Sequence, residues 1–107
     1  MRRGSIHWVY LGETSPPEFG KTRPGLVVSN SVQNGILDSV VVVPLSTRPG
    51  EIWPLRLKIA GPDGKDSFAV LPGIRQVSKS RLLDFFGLAP SRFMIRLDEA
   101  LDLYLND

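Results

Sequence analysis

Ser-Val-Val-Val-Val-Pro-Leu, at Ser39–Leu45, is the stretch of this sequence that says most about the fold. Residues branched at Cβ favour extended backbone, and four valines in a row are hard to place on any helix face. The apolar residues also run continuously instead of alternating, which is typical of a strand that is buried on both faces. The segment therefore predicts the central strand of a sheet.

Upstream of this strand, shorter apolar runs alternate with turn residues. Gly12–Thr22 holds two adjacent prolines and a glycine, so we expect a long loop there. The runs on either side of the loop predict two more strands, at Ile6–Leu11 and Leu26–Ser29, with a turn at Asn34-Gly35 before the central strand.

Downstream, the pattern predicts a hairpin and one further extended segment. Leu55–Ile59 alternates apolar and cationic residues, Pro62–Gly64 is a strong turn signal, and Ser67–Leu71 returns as the partner strand. Leu82–Leu88 then reads as extended, with Phe85 and Phe86 on opposite faces.

The end of the chain has helical periodicity. Ser78 is a candidate cap for a short helical turn through Arg81. Beyond Ser91, a candidate N-cap, apolar residues recur every three or four positions, at Phe93, Leu97, Ala100, Leu101, Tyr104 and Leu105. The sequence thus predicts a mainly β (α+β) fold: one domain over residues 1–107, a small β-barrel with a C-terminal helix.

Composition excludes several functional classes. There is no cysteine, which removes disulfides and thiolate chemistry, and His7 is the only histidine, which argues against a metal centre. The longest apolar run, Val40–Val43, is far shorter than the ~18 residues of a membrane-spanning helix. The basic start leads into His7 and Tyr10 without an apolar export signal, so we expect a cytoplasmic protein with no membrane association.

Five segments, in order along the chain, resemble the MazF/PemK toxin family. They are the opening strand from Gly4 to Leu11, the acidic loop and Arg-Pro-x-Leu-Val-Val strand at Glu18–Asn30, Val43–Thr47, Ile74–Leu82 and the terminal Leu97–Leu101. The resemblance implies an SH3-like barrel and a homodimer. It also implies a toxin that cuts single-stranded RNA without metal or cofactor, and a cognate antitoxin whose acidic, flexible tail fills the RNA groove.

The resemblance also assigns two catalytic residues, Arg23 and Ser46. A guanidinium fixed where loop meets strand can donate two hydrogen bonds to the charge that gathers on a phosphorane. A hydroxyl at Ser46 can bind a phosphate oxygen or relay a proton to the leaving 5′-oxygen. The alternatives are that Arg23 fixes its loop through Glu18, and that Ser46 simply begins a polar turn.

Five further residues are candidates for RNA binding: Glu18, Thr47, Arg48, Trp53 and Arg75. If the strand continues beyond Ser46, only one of Ser46 and Thr47 can face the phosphate. One departure from the family pattern stands out, because Pro72-Gly73 replaces an acidic residue and glutamine. Two other functions stay open: a gyrase poison of the related CcdB branch, or a non-catalytic RNA-binding relative.

Overall fold

The computed structural model describes all 107 residues and contains seven strands and two α-helices. In chain order these are β1 (Ser5–Tyr10), β2 (Thr22–Val27), α1 (Ser31–Ile36), β3 (Ser39–Ser46), β4 (Arg56–Ala60), β5 (Asp66–Val70), β6 (Arg75–Ser78), β7 (Leu82–Leu88) and α2 (Ser91–Leu105). Single 3₁₀ turns follow β5 and β6, at Leu71–Gly73 and Lys79–Arg81. Neither α-helix has the length and hydropathy to cross a membrane.

β3 is the centre of the sheet, as its continuous valines predicted. It pairs antiparallel with β2 along one edge, and its other edge is shared between β6 at the first half and β5 at the second. The strand order is β4-β5-β3-β2-β1-β7, with β6 beside β3, and all pairs are antiparallel. The end strands do not pair, so the curved sheet resembles a barrel that is not closed.

Each face of β3 packs into its own apolar cluster. Val43 and Leu45 belong to the larger cluster, which α2 covers with Phe93, Leu97 and Ala100. Val40 and Val42 lie in a second cluster with residues of β1, β2 and β6. Burial on both faces explains why the strand is apolar without alternation. The predicted class, mainly β with a C-terminal helix, is confirmed.

Two predicted elements differ near the central strand. β2 begins at Thr22, four residues before the predicted Leu26, because Arg23 and Pro24 pair with β1. The predicted turn at Asn34-Gly35 is instead part of α1. The Asn30 side chain caps this helix by accepting bonds from the Val32 and Gln33 amides. Buried Asn34 then secures the helix by donating to the carbonyls of Ser29 and Met1.

The remaining differences are smaller. β6 was not predicted, since its four residues are mostly polar and depend on pairing with β3. The predicted cap of α2, Ser91, is the first helical residue, and the N-cap is Pro90. Ser78 does cap the short turn, with its hydroxyl accepting a bond from the Ser80 amide.

Candidate active site

The start of β2, the end of β3, the start of β4 and the loop between β1 and β2 meet at one end of the sheet. β2 and β3 are antiparallel, and Gly25 of β2 lies opposite Pro44 of β3. Continuing the register by two residues places Arg23, near the start of β2, at the level of Ser46, the last residue of β3. Both residues border a cavity of about 520 Å³, lined by Pro16, Pro17, Glu18, Phe19, Arg23, Ser46, Thr47, Arg48 and Arg56. The structure therefore brings the two predicted catalytic residues to one place.

Arg23 is half-buried, and its guanidinium has no carboxylate partner. Its Nε donates to the Gly20 carbonyl at 3.2 Å, and the guanidinium carbon lies 5.0 Å from the centre of the Phe19 ring. The three ion pairs of the chain lie elsewhere, so the alternative in which Glu18 pairs with Arg23 is not observed. The terminal nitrogens of Arg23 remain free to donate to a ligand.

The hydroxyls of Ser46 and Thr47 both border the cavity, in different settings. Ser46 is the last residue of β3 and is 8% exposed, and its Oγ accepts a hydrogen bond from the Arg48 amide at 3.2 Å. Thr47 lies beyond the strand and is exposed. Because the strand ends at Ser46, alternation does not turn Thr47 away from the cavity. The Ser46 hydroxyl can still donate its own proton.

Positive charge dominates the cavity. Arg48 and Arg56 join Arg23 on its wall, none of the three is in an ion pair, and Glu18 is the only carboxylate there. Arg56 also shapes the loop after Ser46, because its side chain donates to the carbonyls of Arg48 and Gly50. Three unneutralised cations around one cavity attract an anionic ligand such as a phosphodiester.

The cavity continues into a groove. A neighbouring cavity of about 610 Å³ shares Glu18, Phe19 and Arg56 with the first and extends to Pro72–Arg75. Arg75 borders this extension and donates to the Leu11 carbonyl at 3.2 Å. On the other flank a third cavity, of about 420 Å³, reaches from Arg23 and Glu18 to Lys21. We call these three contiguous cavities the cationic groove.

Four of the five predicted RNA-binding residues border the groove in the structure. Glu18, Thr47, Arg48 and Arg75 border the groove, whereas Trp53 does not. Trp53 is 44% exposed, and the guanidinium carbon of Arg96 lies 5.3 Å from the centre of the Trp53 ring. Base stacking on Trp53 stays a prediction.

Two residues of the groove, Phe19 and Arg56, were not among the candidate RNA-binding residues that the sequence predicted. Arg56 carried a signal, since it is one of the two cations on the polar face of the alternating Leu55–Ile59 segment. Phe19 is a lone aromatic residue in a loop that is otherwise exposed from Glu13 to Glu18. His7 lies away from the groove, where its ring packs edge-on against Phe85 at 5.4 Å, in agreement with a packing role.

A small antiparallel β-domain with arginines and a buried hydroxyl around one cationic groove defines a class of phosphodiester-binding domain. The family model described as "PemK-like, MazF-like toxin of type II toxin-antitoxin system" matches residues 2–105, and the chain belongs to this family.

Individual relatives agree with this membership. The chain is 28% identical to Endoribonuclease EndoA of Bacillus subtilis over 112 residues, covering 98% of this chain and 94% of the relative. It is 27% identical to Endoribonuclease MazF of Staphylococcus epidermidis, covering 99% and 92%. Among solved structures, a mycobacterial endoribonuclease in complex with its cognate antitoxin superposes with a TM-score of 0.81 at 26% identity, covering 98% of this chain and 94% of that one. MazF of Deinococcus radiodurans, at 21% identity and a TM-score of 0.82, shares the fold over 98% and 96% of the two chains.

Proposed function

We propose that this chain is a toxin endoribonuclease that cleaves single-stranded RNA at short sequences, without a metal ion. The observation that carries the proposal is the placement of Arg23 and Ser46 on one cavity whose three arginines have no carboxylate partner. An RNA backbone supplies the anionic charge that such a cavity lacks.

The chemistry uses the RNA's own nucleophile. The ribose 2′-oxygen attacks the adjacent phosphorus, the bond to the 5′-oxygen breaks, and the products are a 2′,3′-cyclic phosphate and a 5′-hydroxyl. The free N–H groups of Arg23 donate to the phosphorane oxygens, where charge develops. The Ser46 hydroxyl donates to a phosphate oxygen or relays a proton to the departing 5′-oxygen. Glu18 is the carboxylate in the cavity of Arg23 and Ser46 that can accept the proton of the 2′-hydroxyl.

Binding along the groove is separable from the chemical step. Arg48, Arg56 and Arg75 lie along it, and their attraction for phosphates is independent of sequence.

The positive charge of the groove also fits an acidic protein partner. One mycobacterial relative of known structure is an endoribonuclease in complex with its cognate antitoxin. We propose that an acidic, flexible antitoxin segment occupies the cationic groove of this chain and excludes RNA, because carboxylates and phosphates are alternative ligands for unpaired arginines.

Incubating the pure protein with a long single-stranded RNA in EDTA tests the proposal. The carboxylates and His7 form no group of three or more that could hold a metal ion, so cleavage is expected to survive the chelator. Discrete fragments that end in a cyclic phosphate support the proposal. RNA that is bound but not cleaved identifies a non-catalytic relative, and a strict Mg²⁺ requirement contradicts the mechanism. In a separate incubation with gyrase, DNA and Mg²⁺, stabilised cleavage complexes would identify a gyrase poison.

A further inference from the structure

We propose that Phe19 is a positioning residue for Arg23, and that Gly73 makes this possible by leaving room for the Phe19 ring. The proposal rests on the function proposed above and concerns how the catalytic arginine is held before RNA arrives. Three observations carry it: the contact between Phe19 and Arg23, the anchoring of Phe19 on the sheet, and the close packing around Gly73.

Arg23 is held by two consecutive residues of the loop. The Gly20 carbonyl accepts from Nε, and the Phe19 ring lies 5.0 Å from the guanidinium carbon. An aromatic ring attracts a guanidinium through its π-electrons and uses none of its N–H donors. The contact therefore restricts a long, flexible side chain while leaving the terminal nitrogens available for phosphate, and this lowers the entropic cost of ordering Arg23 in the transition state.

Phe19 can hold Arg23 only because Phe19 is itself fixed. Its ring packs against the smaller apolar cluster on the sheet, whereas the preceding loop residues, from Glu13 to Glu18, are exposed. The loop is thus attached to the rigid sheet at the residue that contacts Arg23. A catalytic group supported in this way keeps its geometry better than one carried by a mobile loop alone.

Gly73 provides the space. A Cβ added there would lie 2.6 Å from Cγ of Pro44, closer than real side chains approach, and 3.1 Å from Cδ2 of Phe19, which is tighter than most real contacts. Gly73 borders the neighbouring cavity of the groove but not the cavity that holds Arg23 and Ser46.

A double-mutant cycle in single-turnover cleavage of one defined RNA tests the proposal. Phe19→Leu keeps an apolar side chain but removes the ring, and we expect the rate to fall about 5- to 10-fold while the dissociation constant for RNA changes less than twofold. Phe19→Tyr keeps the ring and should stay within about twofold of the wild-type rate. In an Arg23→Ala background, Phe19→Leu should cause no further loss, because its effect acts through Arg23.

Tyr10→Leu is the matched control. It removes a similar contact, between Tyr10 and Arg81 at 5.5 Å, which lies outside the groove, so it should leave the rate unchanged. Gly73→Ala should crowd the Phe19 ring and lower the rate, but its Cβ also presses on Pro44, so part of the loss should persist when it is combined with Phe19→Leu.

Nuclear magnetic resonance of the Arg23 side chain gives a second readout that needs no activity. The Phe19 ring current should shift the Nε–Hε signal of Arg23 in the wild type and in Phe19→Tyr, and Phe19→Leu should abolish the shift. A wild-type rate in Phe19→Leu or in Gly73→Ala, an equal loss with and without Arg23, or an unshifted signal would each overturn the proposal. If the wild type cleaves no RNA while the ring-current shift is present, the proposed function fails and the contact itself stands.

Discussion

At the scale of single residues, Arg23 and Ser46 each keep hydrogen-bond donors that have no protein partner. Arg23 uses only Nε within the protein, and Ser46 accepts a bond from the Arg48 amide while keeping its own proton free. Donors of this kind, fixed before the ligand arrives, lower the energy of a charged transition state with little reorganisation.

The two neighbouring hydroxyls are expected to differ in function. Ser46→Ala should lower the single-turnover cleavage rate at least 10-fold, because it removes the buried hydroxyl beside Arg23, whereas Thr47→Ala removes an exposed one and should be milder. Ser46→Thr keeps the hydroxyl and should retain substantial activity. Circular dichroism checks that each variant folds. If Thr47→Ala is the inactive variant, the assignment of the catalytic hydroxyl to Ser46 is wrong by one residue.

At the scale of elements, the segment between β3 and β4 is attached to its surroundings by Glu51. The Glu51 carboxylate accepts a hydrogen bond from the Lys58 amide at 2.7 Å and pairs with Arg96 of α2 at 3.1 Å. The bond from the Lys58 amide, and then the contact with Arg96, lower the pKa of Glu51 below its ordinary value of 4.5. The helix α2 is thereby connected to the segment that follows Ser46.

This arrangement predicts an acid-dependent loss of stability. A carboxyl group whose pKa is lower in the folded state stabilises the fold above its unfolded pKa, and the stabilisation disappears as the pH falls through the folded pKa. Between about pH 6 and pH 3, the melting temperature of the wild type should therefore fall more than that of Glu51→Gln, which cannot ionise. Glu99→Gln, at an exposed carboxylate without an ion pair, serves as control and should behave like the wild type. Equal acid sensitivity in wild type and Glu51→Gln would contradict this role.

The strands could be predicted where local sequence decides them, and less well where pairing does. Ser39–Leu45 is continuously apolar and Leu55–Ile59 alternates, and these two patterns predict β3 and β4 to within a residue. The start of β2 depends on pairing of Arg23 with Val9, and α1 depends on the cap at Asn30 and on the buried contacts of Asn34, none of which apolar periodicity shows.

The candidate site could likewise be predicted where local sequence decides it, and not where packing does. Arg23 and Ser46 came from motifs that the sequence carries in order, and the structure brings them to one cavity. The fit of Phe19 beside Gly73 joins segments that are far apart along the chain, and the contact of Phe19 with Arg23 depends on how the loop between them folds. Such contacts arise from packing in three dimensions, so no local pattern could predict them.

At the scale of the whole molecule, several large apolar side chains remain on the surface. Trp8 is 36% exposed, Ile52 54% and Trp53 44%, whereas Phe93 lies on the buried face of α2. We expect a homodimer at micromolar concentration that covers part of this surface. Light scattering should give twice the 11.8 kDa mass of one chain, and the mass of a single chain at that concentration would contradict the expectation.

The central claim is that Arg23 stabilises the charge that develops when RNA is cleaved. Its most direct test compares wild type and Arg23→Ala in single-turnover cleavage of one defined single-stranded RNA in EDTA, with RNA affinity measured alongside. The account predicts that the rate falls about 10²- to 10³-fold, as for the loss of one donor to a developing oxyanion. Affinity should fall much less, because Arg48, Arg56 and Arg75 remain in the groove. Cleavage by Arg23→Ala at the wild-type rate would contradict the account.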